Sequence, residues 1–346
     1  MQDILSDIQT WLTQSQPFAL ARVTHTWGSS PREVGAAMVV RADLAVAGSV
    51  SGGCVENAVI EAARQVLKDG RPQHLHFGVS DGTAWSLGLT CGGKISVLVE
   101  LHPACTEDAL DRQIWDKLTE TLAQQRPAVL LSKLAPGKNR HLLVDPEGAA
   151  WGDWGEATSA AIEVAQQFYR ERHSGEVEIA GEALFLQVFP RPAHLLVIGA
   201  SHIAIPLVKL AKEMQFAVTV IDPRQIFAAP ERFPLPPDRL LNVWPEAALS
   251  QLDLNDDTYA VLLTHDPKID DAALHILLQH NLPYIGALGS SKTHARRRQR
   301  LQEAGFSQAQ IDRIHGPVGL DIGAKTPGEI ALSIMAQVVQ ARRAPR

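Results

Sequence analysis

The sequence predicts an α/β protein in which a mixed α/β domain, residues 1–190, precedes a Rossmann-like domain with a doubly wound parallel sheet, residues 191–346. Two observations lead to this prediction. Short β-branched segments alternate with helical segments in the second half, a pattern typical of a parallel sheet with helices on both faces. A proline-flanked segment, FPRP at 189–192, separates this half from a first half of mixed pattern.

Composition excludes several classes of protein. The chain has 346 residues, 45% of them hydrophobic and 20% charged, which is enough for a sizeable core, and its net charge of −6 does not favour nucleic-acid binding. No basic residue precedes Arg22, as one would in a signal peptide, and no apolar run reaches the roughly 20 residues of a membrane helix. Three cysteines argue against a disulfide framework. We therefore expect a cytoplasmic protein that binds neither membrane nor nucleic acid.

The first half is predicted to mix helices with alternating strands. An amphipathic helix over residues 4–12 is followed by the strands FALARVTHTW (18–27), AAMVV (36–40) and ISVLVELH (95–102). A helix is expected over about 55–68, because Gly70 and Pro72 are typical of helix ends. The stretch 105–182 adds two helices and short strands, and it carries no motif that indicates a function.

The second half opens with a βαβ unit. It consists of the strand HLLVIG (194–199), a helix over 201–214 and the strand AVTVID (217–222). The alternation continues with the strand YAVLLT (259–264), a helix near 270–280, the strand LPYIGAL (282–288) and helices at about 290–303 and 326–341.

The turn of the βαβ unit carries an altered dinucleotide fingerprint. A Rossmann turn usually has the pattern G-x-G-x-x-G/A, but here GASHIA places Ser201 where the second glycine would approach a pyrophosphate. Gly199, Ser201 and His202 could still hold a phosphate at the helix start, and Asp222, 23 positions after Gly199, could bind ribose hydroxyls. A Rossmann scaffold without a working nucleotide site is the alternative.

Two glycine-flanked cysteines suggest a different chemistry. SGGCVE (51–56) places Cys54 at a predicted helix start, where free N–H groups favour a thiolate, and TCGG (90–93) places Cys91 on a second loop. The 37 positions between them exclude a zinc-ribbon spacing. With Arg32 of a third glycine loop, these loops suit an anionic ligand that contains a thiophilic metal. There are two alternatives to a metal-binding role for these cysteines. They could be small buried residues of the core, or they could form a thiol-based redox pair.

Two weaker signals lie in the second half. His265, in THD (264–266), follows a strand at the sheet edge that holds ligands in Rossmann folds, and it would be the acid–base residue of an NAD(P)-dependent oxidoreductase. A run of four arginines, three of them at 296–298 and one at 300, could bind phosphate or form a solvated helix face.

Seven motifs taken in order resemble the XdhC/CoxI family, the accessory proteins for maturation of bacterial xanthine dehydrogenase and related molybdenum hydroxylases. The matching motifs are GSSPR (28–32), SGGCVE (51–56), GLTCGG (88–93), HLLVIGASHIA (194–204) with VTVIDPR (218–224), LTHD (263–266), YIGALGS (284–290) and GLDIGAKTPGEIALSI (319–334). Ser201 is the departure, since the family usually has glycine there. The resemblance covers nearly the whole chain apart from about 105–182.

The resemblance implies a cofactor carrier and not an enzyme. Such a carrier would bind the molybdenum cofactor, as molybdopterin or its cytosine dinucleotide, protect its sulfurated form and help to insert it into an apo molybdenum hydroxylase. A cysteine desulfurase and a cofactor nucleotidyltransferase would be further partners, and a homodimer is left open. By position, Cys54 is the first candidate for contact with molybdenum and Cys91 the second. The other residues expected near the cofactor are Arg32, Gly52, Gly53, Glu56, Gly92, Gly93, Gly199, Ser201, His202, Asp222 and His265.

Overall fold

The chain forms two compact units, Met1–Arg191 and Pro192–Arg346. The structure, a computed structural model, describes residues 1, 4–14, 16–28, 32–78, 93–137 and 140–344. No helix within these described ranges is both long enough and apolar enough to cross a bilayer.

In the part of the chain that the structure describes, the first unit contains two five-stranded antiparallel sheets and four α-helices. In chain order its elements are α1 (Leu5–Thr13), β1 (Phe18–Trp27), β2 (Ala37–Arg41), β3 (Val46–Gly48), α2 (Glu56–Asp69), β4 (Gln73–Phe77), β5 (Lys94–Leu101), α3 (Ala109–Ala123), β6 (Ala128–Lys133), β7 (His141–Val144), β8 (Ala150–Trp151), α4 (Ala157–Glu171), β9 (Gly175–Ile179) and β10 (Glu182–Phe189). The strand orders are β3-β2-β1-β5-β4 and β8-β7-β6-β10-β9. Helices and strands thus alternate irregularly, and the mixed α/β class is confirmed.

Strand β1 shows why its sequence alternates. Phe18 and Leu20 face a core that includes α1, α3 and the second sheet. Ala19 and Ala21 face the opposite way, into a core covered by α2. Because successive side chains of a strand point to opposite faces, one apolar run serves both cores. Helix α2 ends at Asp69, and the next residue, Gly70, has the left-handed conformation (φ 70°) that is typical of a helix C-cap.

The second unit is a doubly wound parallel sheet. Its elements are β11 (His194–Ile198), α5 (Ala204–Glu213), β12 (Ala217–Ile221), β13 (Arg239–Leu241), α6 (Pro245–Leu249), β14 (Thr258–Leu262), α7 (Pro267–Leu277), β15 (Tyr284–Ala287), α8 (Ser291–Glu303), α9 (Gln308–Ile311), β16 (Ile314–His315) and α10 (Pro327–Arg343). The order β13-β12-β11-β14-β15-β16 is that of the Rossmann fold, counted as 3-2-1-4-5-6. Helices α5 and α10 pack on one face and α7 on the other. The predicted Rossmann-like fold is confirmed.

Candidate cofactor-binding sites

The loop that carries Cys54 is held together by a carboxylate. Glu56, the first residue of α2, turns its side chain back over the preceding loop. Its Oε1 accepts hydrogen bonds from Ser49 Oγ at 2.7 Å and from the backbone N–H groups of Ser51 and Gly52 at 2.9 and 3.0 Å. Its Oε2 accepts from the N–H of Gly53 at 2.8 Å and from Ser51 Oγ. Five donors therefore converge on one carboxylate.

Ser51 completes this network on the helix side. Its Oγ accepts hydrogen bonds from the N–H groups of Cys54 and Val55, both at 3.0 Å. The N–H groups of residues 51–55 therefore all donate within the loop. The sequence predicted these donors to be available to an anionic ligand, but the structure shows that Glu56 and Ser51 already occupy them.

The charge of Glu56 follows from its hydrogen bonds. Partial burial would raise its pKa, but the hydrogen bonds from Ser51 and Ser49 outweigh that effect and lower the pKa to about 2. Glu56 is therefore ionised at neutral pH and anchors the loop. Both oxygens of Glu56 already accept hydrogen bonds from the protein. The contact with a cofactor that the sequence predicts for Glu56 stays a prediction.

The two glycines before Cys54 meet a conformational requirement. Gly52 and Gly53 have φ angles of 78° and 121°, in the region that favours glycine. Gly53 is exposed, and a Cβ built on it would meet no atom of the described structure within 4 Å. The backbone beside Cys54 is therefore fixed in conformation, with space over Gly53 as far as the described residues reach.

Cys54 carries a free thiol on this loop. It is half-buried and packs against the core under α2. Arg32 reaches the same loop, where its Nε donates to the carbonyl oxygen of Ser49 at 3.1 Å. Within the described ranges, no three His, Cys, Asp or Glu side chains converge as a metal site, so Cys54 offers a single soft donor.

The second cysteine loop is described only at its end. Cys91 and Gly92 lie outside the described residues. The structure therefore gives no distance between Cys54 and Cys91. Gly93 is buried immediately before β5. The structure thus brings Arg32, Gly52, Gly53, Cys54 and Glu56 together on one loop system, and the roles predicted for Cys91 and Gly92 stay predictions.

In the second unit, Gly199 permits close packing at the end of β11. Its φ is 103°, and a Cβ on it would lie 2.5 Å from Thr264 Cγ2 and 3.1 Å from the backbone nitrogen of Thr264. No side chain fits there without moving the loop that follows β14. The first fingerprint glycine therefore brings two loops of the same sheet edge into contact.

Asp222 is fully buried and already paired. Its Oδ2 accepts from the N–H of Ala200 at 2.8 Å and from Arg224 Nη2 at 2.7 Å, and its Oδ1 accepts from the Arg224 backbone and Nε, both at 2.9 Å. Burial would raise the pKa of Asp222, but the hydrogen bonds from Arg224 lower it. The sequence predicted an acceptor for ribose hydroxyls, whereas both oxygens of this carboxylate are taken by the protein.

An open pocket of about 490 Å³ lies at this edge of the sheet. Its lining residues are Ser201, Arg224, Phe227, Leu263, Thr264, His265, Asp266 and Pro267. Ser201 Oγ is buried and has no hydrogen-bond partner in the described part of the chain. His265 lines the pocket, whereas His202 is exposed and is not part of the lining, and the cofactor contacts expected of both stay predictions.

Sequence reasoning missed Arg224 as a site residue. Its guanidinium group lies over the Phe227 ring, 4.2 Å from the ring centroid, and it holds Asp222 in place. The available signal was its position two residues after the acid at the end of β12, since a basic residue there can neutralise that acid.

A pocket of about 940 Å³ in the first unit contains none of the predicted site residues. It lies at the C-terminal end of α2, whereas the Cys54 loop precedes the N-terminal end. Under it, Glu100 pairs with Arg22 at 2.6 Å and with Arg140. Because Arg22 also donates to Ser132 of the second sheet, at 2.8 Å, this buried cluster links the two sheets and does not point to a ligand.

Comparison with known proteins gives a family and a fold. The model of the XdhC and CoxI family matches residues 11–78, and the model of the XdhC Rossmann domain matches residues 195–338. A crystal structure of a xanthine dehydrogenase from Bacillus halodurans superposes with a TM-score of 0.79 at 28% identity, covering 100% of this chain and 97% of that one.

Two curated relatives match along most of the chain. A protein of Bacillus subtilis (strain 168), by name a probable subunit of xanthine dehydrogenase, is 28% identical over 334 residues, which is 96% of this chain and 95% of the relative. The molybdenum cofactor insertion chaperone PaoD of Escherichia coli (strain K12) is 28% identical over 317 residues, which is 91% of this chain and 80% of PaoD.

Proposed function

Because the chain belongs to the XdhC and CoxI family, we propose that it carries the molybdenum cofactor and helps to insert it into an apo molybdenum hydroxylase of the xanthine dehydrogenase type. The observation that carries this proposal is the free, half-buried thiol of Cys54 on a loop that Glu56 fixes in place. The relative PaoD, by name a molybdenum cofactor insertion chaperone, supports it.

The donor set of the loop fits this cargo in part. The Cys54 thiolate is a soft ligand of the kind that thiophilic metals prefer, and the space over Gly53 leaves room beside it. Arg32 is a cation that reaches the same loop through its hydrogen bond to Ser49, and it suits the phosphate of the pterin. The loop N–H groups contribute little to an anion, since Glu56 and Ser51 hold them.

The finer parts of the proposal concern delivery. We place the carrier in the cytoplasm, where thiols such as Cys54 stay reduced. There it protects the sulfurated cofactor and meets the apo-hydroxylase, a cysteine desulfurase and a cofactor nucleotidyltransferase, as a monomer or a homodimer. Its role is binding and transfer, and the redox chemistry belongs to the recipient enzyme once the cofactor is inserted.

The oxidoreductase alternative rests on the Rossmann fold and on the position of His265 in the pocket, and the structure shows no free acceptor at Asp222 for a coenzyme. A dinucleotide coenzyme needs an acceptor for its ribose hydroxyls, and Asp222 is occupied by Arg224 and by the turn after β11. His265 is exposed at the pocket, and neither its ring nor its position identifies a hydride-transfer partner.

Titration with isolated molybdenum cofactor under anaerobic conditions tests the proposal. Mutation of a residue that supports a metal ligand typically lowers metal affinity by roughly 10–100-fold. Loss of the ligand itself should cost at least as much, so Cys54→Ala should weaken cofactor binding by at least that factor. Cys105→Ala is the matched control, because Cys105 is also a free, half-buried cysteine and burial raises its pKa. Cys91→Ala tests the second predicted ligand.

Thermal unfolding of each variant must accompany the titration, so that lost binding is not confused with lost folding. The proposal predicts a normal melting temperature with weak binding for Cys54→Ala, and normal values of both for Cys105→Ala. Cofactor affinity that is unchanged in both Cys54→Ala and Cys91→Ala would remove the cysteines from the site and contradict the proposal.

A further inference from the structure

Strand β1 ends on a tryptophan, Trp27, whose side chain is exposed. We infer that Trp27 and Lys94 form a stacking surface for the pterin ring of the cofactor, and that Lys94 attracts an anionic group attached to that ring. The inference rests on the proposed function, because it takes the pterin as the ring to be bound. Neither residue belongs to the set that the sequence assigned to the cofactor.

The position of Trp27 in the first sheet is the first argument. In the order β3-β2-β1-β5-β4 every strand is antiparallel to its neighbours, so β1, β3 and β4 all end on the side where β2 and β5 begin. Arg32 follows β1, Cys54 follows β3, and Gly93 directly precedes β5. Trp27 therefore lies at the end of the sheet where the residues predicted to contact the cofactor leave their strands.

The exposure of Trp27 is the second argument. Its side chain is 63% exposed, although tryptophan is highly buried on average in folded proteins. A flat aromatic ligand laid on the indole would remove this apolar surface from water, and aromatic rings favour such offset-stacked contacts. A single exposed ring needs no ligand by itself, so the argument depends on the position of Trp27 and on its neighbours.

Lys94 supplies the positive charge of the stacking surface. It lies opposite Trp27 on β5, and its Nζ is 5.8 Å from the centroid of the Trp27 ring. An ammonium group at this distance is attracted to the face of the ring. Because Lys94 is itself exposed, its charge remains available to a carboxylate or a phosphate. A flat ligand that carries such a group therefore meets both an aromatic ring and a cation.

Polar side chains continue the same face of the sheet. His25 precedes Trp27 by two residues, so both point to one face, and Ser96 of β5 lies opposite His25. On the other side of Ser96 lies His76 of β4, whose Nδ1 is 2.9 Å from Ser96 Oγ. Partial burial, and then the charge of His74, lower the pKa of His76, which is therefore neutral at pH 7 and has both a donor and an acceptor nitrogen. These groups suit the edge of a pterin, which also offers donors and acceptors.

Trp27 and Cys54 lie on opposite faces of this sheet. Thr26 pairs with Ile95, which belongs to the core under α2 that Cys54 also contacts. Trp27 is the next residue along the strand and therefore points to the other face. Gly28 follows with a φ of 75°, so no side chain of this residue covers the end of β1. A ligand that contacts both Trp27 and Cys54 would pass over this strand end.

Calorimetric titration of the full chain with pterin-6-carboxylate tests the inference, because this probe keeps the ring and an anionic group but carries no metal. Stacking of bases on aromatic side chains suggests that Trp27→Ala should weaken binding of the probe by about 10-fold or more. Trp27→Phe keeps an aromatic ring, so its affinity should stay within about threefold of the wild type. Trp244→Ala is the matched control, since Trp244 is also an exposed tryptophan but belongs to the second unit, and it should bind the probe as the wild type does.

Lys94→Gln separates the charge from the ring. It should lower the affinity for pterin-6-carboxylate by about two- to fivefold and leave the affinity for 6-methylpterin, which has no carboxylate, unchanged. Thermal unfolding accompanies each variant. Because Trp27 and Lys94 are exposed, the melting temperatures should match that of the wild type, whereas a structural role for Trp27 would lower the melting temperature of Trp27→Ala.

Competition shows whether the cofactor uses the same surface. Isolated molybdenum cofactor should displace pterin-6-carboxylate from the wild type, and failure to displace it would overturn the inference. So would absence of probe binding at millimolar concentration, equal affinities of the wild type and Trp27→Ala, or binding of adenosine 5′-monophosphate about tenfold tighter than the probe. Cys54→Ala should lower the affinity for the cofactor but not for pterin-6-carboxylate, whereas Trp27→Ala should lower both, so this inference and the proposed function fail separately.

Discussion

Glu56→Gln is the substitution that probes the Cys54 loop most directly. Glutamine keeps one oxygen for Ser49 and for the N–H groups of Ser51 and Gly52, but its NH₂ group replaces the oxygen that accepts from Gly53. At least one backbone donor is then left without an acceptor, and a lost hydrogen bond of this kind costs about 1–3 kcal/mol. The loop should open more often while the rest of the unit stays folded.

The pKa of Glu56 gives a second figure for the same network. A shift from the usual 4.5 to about 2 corresponds to roughly 3 kcal/mol, which solvent screening of this partly exposed group reduces to roughly 1–2 kcal/mol. Because the folded pKa is lowered, this stabilisation is fully present above about pH 4.5 and is lost as the pH falls through about 2. The two figures agree.

Hydrogen–deuterium exchange of peptides covering residues 49–55 is the assay. A loss of 1–2 kcal/mol predicts exchange that is roughly 5- to 30-fold faster in Glu56→Gln at neutral pH, with a smaller difference from the wild type at pH 3. Glu61→Gln is the control, since Glu61 lies on the same helix in an exposed pair with Arg64. Unchanged exchange in Glu56→Gln would refute the anchoring role of the carboxylate.

Two other substitutions test the buried contacts of each unit. Glu100→Gln leaves Arg22 and Arg140 without their shared counter-charge, and it should lower the free energy of unfolding by about 3–5 kcal/mol in urea titrations; a loss under 1 kcal/mol would contradict the pairing. Gly199→Ala forces a Cβ to within 2.5 Å of Thr264, and it should lower stability by about 1–3 kcal/mol or more, seen as a lower melting temperature of the second unit. If Gly199→Ala had the melting temperature of the wild type, the loop after β14 would have to move away from the added Cβ at no cost in stability.

The second unit was largely predictable because its signals are local. The strand at 194–199, the helix that follows and the strand at 217–222 lie within three residues of β11, α5 and β12. In the first unit the helices and strands predicted up to residue 102 also match elements of the structure, but the pairing of its strands was not predicted, because it joins distant parts of the chain. Strand β1, for example, pairs with β5, and Ala19 lies opposite Leu101. No pattern within one segment encodes such a pairing.

For the candidate sites, the sequence indicated which residue types lie in each loop, but it did not show which of their side chains contact one another. The sequence placed Cys54 beside two glycines, but it could not show that Glu56 would take the loop donors for itself. The arginine run was interpreted as a solvated face or a phosphate site. Arg297 is instead buried and faces Asp270 at 3.4 Å. Helical spacing offered a signal, since Leu301, four residues on, is buried on the same face.

The measurement closest to the central claim is the molybdenum and pterin content of the chain purified anaerobically from molybdate-fed cells. Molybdenum is quantified by mass spectrometry and pterin by fluorescence after oxidation, for the wild type, Cys54→Ala and Cys105→Ala. The account predicts molybdenum and pterin in equal amounts, approaching one of each per chain in the wild type and in Cys105→Ala, with both lost in Cys54→Ala. Absence of both from folded wild-type protein, even after addition of isolated cofactor, would contradict the claim that this chain carries molybdenum cofactor.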